Sequence, residues 1–336
     1  MRFDASHLAS ESWPMRNVCA AALLCIALLL VACGESASSA PITVQVSTAT
    51  PTTPAPDPTA TPPPGATPTT IPEPEVVLAT DTVVQGGALL VAVTGNIRGG
   101  TAQLFGGEYP LTQGERSMYT FIGIPTDAPT GELTLGLRVE TANGSTGELS
   151  ETVTVQATEW TVESLEFDQG TLDELLDPEV LAEESRVLGQ VYGTVTDEKL
   201  WEQTWFIPTD GPITARFGEQ RSYNGSEPTG RRTGTDISAE TGTRVVATNN
   251  GRVCMARELA VRGNMVVIDH GGGLLSGYAH LSEIGVLSQG DVIQAGDVIG
   301  AVGSTGLSTG AHLHWEMAIH GTRVDPWHFV DGTNGF

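Results

Sequence analysis

His312 and His314 stand two residues apart in "STGAHLHWE" (308–316), just after a Ser-Thr-Gly turn. In a strand, side chains at i and i+2 leave the same face, so the two imidazoles point the same way. Side by side, neutral imidazoles suit a metal ion or an acid–base pair. Taken alone, such a pair on a strand is more often structural, so its surroundings decide. The segment "RRTGTDIS" (231–238) sets Arg232 and Asp236 four residues apart. "MVVIDHGGGLLSGYAHL" (265–281) reads as a strand, a glycine turn and a second strand ending at His280. "GDVIQAGDVIGAVGSTGLSTG" (290–310) is a string of short strands and turns leading back to the histidine pair.

From about Ile207 to Val330 the chain resembles the lysostaphin-type zinc endopeptidases, the LytM family, which cut peptide bridges in bacterial peptidoglycan. The likeness rests on "YAHL" (278–281), "TGAHLHWE" (309–316) and the closing "GTRVDPWHF" (321–329). It implies a compact antiparallel β core of the duplicated hybrid motif type. It also implies one zinc ion bound by Asp236 and His314, with His280 and His312 beside the metal as the catalytic pair. The residue types suit that chemistry. An open zinc site holds a water whose pKa falls to about 7, and neighbouring histidines can accept its proton and stabilise an oxyanion.

One position departs from the pattern. The family motif begins with a zinc-binding histidine where this chain has Arg232. Guanidinium offers no lone pair and stays protonated, with a pKa above about 12. It puts a positive charge where the metal belongs, and a partly buried salt bridge from Arg232 to Asp236 is the expected substitute. Asp236 and His314 alone are short of a dependable site. His270 sits at a hairpin turn and is expected to order that turn or to sit near the groove; His320 and His328 lie in the closing segment; Glu240 reads as a solvated turn residue. None is a persuasive third ligand. Two functions stay open. One is a domain that binds peptidoglycan peptide, or regulates another wall hydrolase, without efficient cleavage. The other is an active zinc endopeptidase cutting peptidoglycan cross-links.

The elements that carry these residues follow from composition and period. The 336-residue chain has 40 acidic against 16 basic residues and a net charge of −24, which excludes an electrostatic footprint for nucleic acid. Residues 1–33 read as a lipoprotein signal peptide. An apolar run, "VCAAALLCIALLLVA" (18–32), is followed by Cys33 in "LVAC", which resembles a bacterial lipobox with Cys33 as the lipidation site. Translation starting at Met15 gives a tidier basic leader, and an ordinary secretory signal or a short anchor is the plainer alternative. Each version places the bulk of the chain outside the cytoplasm, and the lipobox version anchors it to the membrane. Residues 34–74 are rich in Thr and Pro and form a disordered tether, long enough at ~3.1 Å per residue to reach on the order of 100 Å.

Residues 75–158 carry short alternating runs such as "ELTLGLRVE" (132–140), separated by turns such as "TANGS" (141–145), and predict an immunoglobulin-like β-sandwich. Residues 159–206 are a bridge with one amphipathic helix, opened by Asp177 and Pro178, whose Val180, Leu181, Val187, Leu188 and Val191 share a face. Residues 207–336 form the peptidase-like domain. With Cys19 and Cys25 in the leader and Cys33 lipidated, Cys254 is left alone as a small core residue, which excludes an intrachain disulfide or a thiolate zinc site.

Overall fold

Alternation of apolar and polar side chains shapes the first half of the fold. In the strand Gly131–Thr141, Leu135, Leu137 and Val139 are buried while Thr134 and Arg138 face solvent. It pairs along its length with Thr146–Gln156 through the expected turn, where Gly144 takes φ 86° and the Asn143 carboxamide accepts from the Ser145 N–H. The structure, a computed structural model, describes residues 72–331. The leader with Cys33, and the tether as far as residue 71, lie outside the described residues.

Two sheets enclose the first core. One runs Glu75–Leu78, Ala88–Thr94, Met118–Gly123, Thr112–Gln113; the other runs Thr82–Val84, Thr146–Gln156, Gly131–Thr141, Ile97–Leu104, Gly107–Pro110. Leu89, Val91 and Ile122 from the first meet Leu135, Leu137 and Val153 from the second. The result is a β-sandwich with two-faced patterning.

The bridge holds two helices, where the sequence reading expected one. The additional helix, α1 (Gln169–Leu175), is seven residues long and capped by Asp168, which accepts from the N–H groups of Gly170 and Thr171. Its Gly-Thr start is weakly helical by propensity, so the capping and tertiary contacts carry it. The second, α2 (Pro178–Tyr192), starts at Asp177 as expected. Its buried side chains are Glu184, Val187, Leu188 and Tyr192, and Val180 in the first turn is partly buried against Leu172 and Val261. Leu181, expected on the inner face, is 36% exposed. Helical period assigns a face but not where its rim falls.

The C-terminal half is an antiparallel sheet. Its strand order is Ile213–Ala215, Gly234–Ser238, His312–Ile319, Leu274–Leu281, Gly263–Asp269, Gly251–Leu259, Val292–Ile293, with Thr322–Val324 also paired to His312–Ile319. The central strand His312–Ile319 divides by parity. Leu313 and Trp315 enter one core with Ile237, Val266 and Tyr278, and Met317 and Ile319 pack with Phe121, Trp201 and Trp205 against the sandwich. The other face carries His312, His314, Glu316 and Ala318, the last packed with Tyr192 of α2. Cys254 is half-buried and packs at the edge of that α2 cluster, as a small core residue should. Burial pushes its thiol up to about 11.

Helix α2 is bolted to this sheet by polar as well as apolar contacts. The buried Glu184 carboxylate accepts from the backbone N–H groups of Val261 (2.7 Å) and Arg262 (3.1 Å). Glu184→Ala removes the acceptor for both groups and is expected to cost about 2–4 kcal/mol, read as a lower urea midpoint. Glu184→Gln keeps one acceptor oxygen and should lose no more than about half as much. Equal midpoints for wild type and Glu184→Ala would mean that the apolar face alone holds the helix.

Candidate functional site

Three neighbouring strands bring together the residues singled out in the sequence. Asp236 lies opposite His314, and Ser238 opposite His312, in the pairing of Gly234–Ser238 with His312–Ile319. On the other side Ala279 lies opposite His314. The next residue, His280, adopts φ 61°, the left-handed region that non-glycine residues seldom enter. Its Nδ1–H donates to the Thr305 carbonyl at 2.8 Å, leaving the lone pair of the neutral ring on Nε2. The His280 ring centre is 4.8 Å from that of His312 and 5.9 Å from that of His314.

Asp236 is the hub. Its Oδ1 accepts from His314 Nδ1 at 2.6 Å, and its Oδ2 faces His312 Nε2 at 3.2 Å. Arg232 Nη1 donates to the same Oδ2, and Arg232 Nη2 donates to Glu163 of the bridging strand Val162–Leu165. Arg232 is only 3% exposed, so the salt bridge expected from the sequence is present and buried. On its far side His314 Nε2 meets Glu316 Oε1 at 3.0 Å. Both ring nitrogens of His314 therefore face carboxylate oxygens, which only accept.

Glu316 is fully buried and anchors the site from behind. It takes hydrogen bonds from Arg262 (2.8 Å), Thr233 (2.6 Å), Tyr192 (2.8 Å) and Arg323 (3.3 Å). Burial pushes its carboxyl up, but the two guanidiniums outweigh that and hold it well below the usual range. Asp236 behaves alike: burial opposes ionisation, and hydrogen bonds from His312 and His314 with the charge of Arg232 overcome it. Burial lowers His312, yet its contact with Asp236 raises it on balance. His280 is driven well down, by burial and then by the two neighbouring histidines, and is held neutral.

The donor set does not fit the zinc ion that the family resemblance implies. Both Asp236 oxygens are engaged, His314 turns no free lone pair outward, and Arg232 adds positive charge. Among the described residues no group of three or more His, Cys, Asp or Glu is placed to hold a metal. His270 is buried in the core, bonded to the Asn250 carbonyl and Ser276, with burial pushing its imidazole down to about 4. His320 packs on Tyr109 and Thr120 of the sandwich, and Glu240 is exposed. His328 lies near Gly87 of the sandwich. None of the four lines the groove.

That groove, about 380 Å³, is walled by Glu163, Leu165 and Phe167 of the bridge, by Arg221, Tyr223 and Arg232, and by the 307–312 loop, with Asp236 and His280 within it. The spacing that pairs the two histidines also puts Glu316 on their face, a signal present in "HLHWE". Glu163, Arg221 and Arg262 carry no such signal.

Residues 230–326 match the model of peptidase family M23. The peptidoglycan DD-endopeptidase ShyA of Vibrio cholerae is 35% identical over 123 residues, 37% of this chain and 28% of that protein. The murein hydrolase activator NlpD of Salmonella dublin is 36% identical over 127 residues, 38% of this chain and 31% of that protein. The chain thus spans less than a third of the length of either. A crystal structure of a peptidase M23 protein from Pseudomonas aeruginosa, described as putative, superposes with a TM-score of 0.56 at 26% identity. It covers 75% of this chain and 96% of that one, so the likeness reaches upstream of residue 230.

The buried ion pair makes a stability prediction. Arg232→Met leaves Asp236 and Glu163 without their guanidinium and is expected to cost about 3–5 kcal/mol at pH 7 in urea unfolding. The depressed Asp236 carboxyl contributes stability that is full above its unfolded pKa of about 4 and is lost as pH falls through the lower folded value. Loss of the guanidinium also lets the neighbouring His312 rise further, so the gap between wild type and variant should be widest near pH 7 and narrow on acidification. A variant as stable as the wild type at pH 7 would show that Arg232 does not hold Asp236.

Proposed function

Residues 230–326 form a peptidase family M23 domain, and we propose that this domain takes peptidoglycan peptide in the His280–His312 groove without cleaving it efficiently. In this reading the chain acts at the cell envelope as a peptidoglycan binder or as a regulator of another wall hydrolase. It is held outside the cytoplasm by a lipid on Cys33 and spaced from the membrane by the Thr/Pro-rich tether. The observation that carries the reading is the Arg232 guanidinium seated on Asp236, where the family resemblance calls for a metal ligand. A permanent cation there takes up the carboxylate that zinc would need. No helix among the described residues is long and apolar enough to cross a membrane.

A second reading, an active zinc endopeptidase, is favoured by one observation: the ring centres of His280 and His312 lie 4.8 Å apart beside Asp236. A pure scaffold has little use for that arrangement.

Metal content separates the two. The chain and its Arg232→His variant, each confirmed as folded by circular dichroism, are exposed to excess zinc, desalted and analysed for metal. Both are then incubated with purified peptidoglycan. The expected result is close to no zinc and no released peptide for the wild type, about one zinc per chain for the variant, and cosedimentation of the wild type with peptidoglycan. One full equivalent of zinc in the wild type together with peptide release would establish the endopeptidase.

A further inference from the structure

Arg221 stands on the wall of the groove, on the strand Gln220–Tyr223, with its side chain 24% exposed. A guanidinium carries five N–H donors and cannot shed its charge, so partial burial obliges it to find acceptors. This one has one loose ion pair and no side-chain hydrogen bond. Its Nε is buried without a hydrogen-bond partner, and its nearest carboxylate oxygen, Glu163 Oε2, is 3.8 Å away, beyond hydrogen-bond reach. That same oxygen is already taken by Arg232 Nη2. Arg232 in turn has Asp236 as well, so it is Arg221 that is left under-paired.

The charge balance points the same way. Arg221 and Arg232 face Glu163 and Asp236, two against two, so the groove wall carries no surplus of negative charge. Such a spot is unusual in a chain of net charge −24. Beside Arg221 the bridge supplies apolar surface. Phe167 lies with its ring centre 6.1 Å from that of Tyr223, and its backbone is fixed by a reciprocal pair of bonds with the Asn224 side chain (2.8 and 3.0 Å). A preformed pocket of this size, with one underused cation and an apolar wall, suits a short peptide that ends or branches in an anion.

We propose that Arg221 binds a carboxylate of the groove's ligand, so that the peptide taken here is one bearing a free carboxylate, at its C-terminus or on a side chain. This rests on the reading of the groove as a peptide site. The planar guanidinium edge matches the two oxygens of a carboxylate, and a carboxamide in the same place would set an NH₂ group against N–H donors.

The test uses the full chain and three N-acetylated dipeptides followed by NMR titration: alanyl-alanine as the free acid, the same dipeptide as its C-terminal amide, and alanyl-glutamate with only its C-terminus amidated. At least one acid should bind about tenfold or more tighter than the fully amidated dipeptide. Which acid it is names the source of the carboxylate. Arg221→Gln should abolish that preference and Arg221→Lys should keep part of it, with folding checked by circular dichroism. Equal binding of acid and amide by the wild type, or no binding of any dipeptide up to about 10 mM, overturns the proposal, as does a preference that survives Arg221→Gln. Cosedimentation with peptidoglycan tests the underlying reading separately. Pelleting without acid preference removes the role of Arg221 alone, whereas an Arg221-dependent acid preference without pelleting keeps the carboxylate site and removes the envelope ligand.

Discussion

A carboxylate with no solvent exposure cannot stay ionised unless charge and hydrogen bonds replace the water it has lost. Glu316 is that carboxylate, and most of the C-terminal half is organised around its needs. Arg262 and Arg323 approach it from two sides, Tyr192 reaches it from α2, and Thr233 reaches it from the turn before Asp236. The remaining contact is His314, which passes the chain of polar contacts on to Asp236, Arg232 and finally Glu163. One connected network thus runs from the helix behind the sheet to the bridging strand at the mouth of the groove.

That continuity explains why the helix and the groove are one structural problem. The end of α2 is fixed by Tyr192 on Glu316, and its middle by Glu184 on the Val261–Arg262 backbone. Arg262 belongs to both arrangements, since its side chain pairs with Glu316 while its N–H is capped by Glu184. A half-satisfied buried network is worse than an apolar core, so each member depends on the rest being in place. The same requirement governs the residues of the groove. Asp236 and His314 spend their polar atoms on neighbouring side chains, and Arg232 makes that arrangement electrically stable without an ion.

Much of this is legible in the sequence. Strand parity put His312 and His314 on one face, the Gly-rich turn placed His280 at a strand end, and the family resemblance set it beside them. The incompatibility of Arg232 with a metal, and its pairing with Asp236, followed from the chemistry of guanidinium. The capped start of α2 was readable from Asp177 and Pro178. Short α1 was not, because its Gly-Thr opening has little helical propensity and its Asp168 cap is the only local signal. Leu181 shares the helical period of the inner face yet sits at its rim, 36% exposed.

By itself the sequence determined the residue types, the faces they share and the sign of each charge, because backbone period and side-chain chemistry are local properties. The tertiary structure alone decided which distant charges meet. Glu163 lies 69 residues before Arg232, and Tyr192 lies 124 residues before Glu316. Neither pairing has a spacing rule behind it, since both arise from how the bridge folds back over the sheet. The same packing left Arg221 beside an acceptor already in use, and only the three-dimensional arrangement of four charges reveals that shortage.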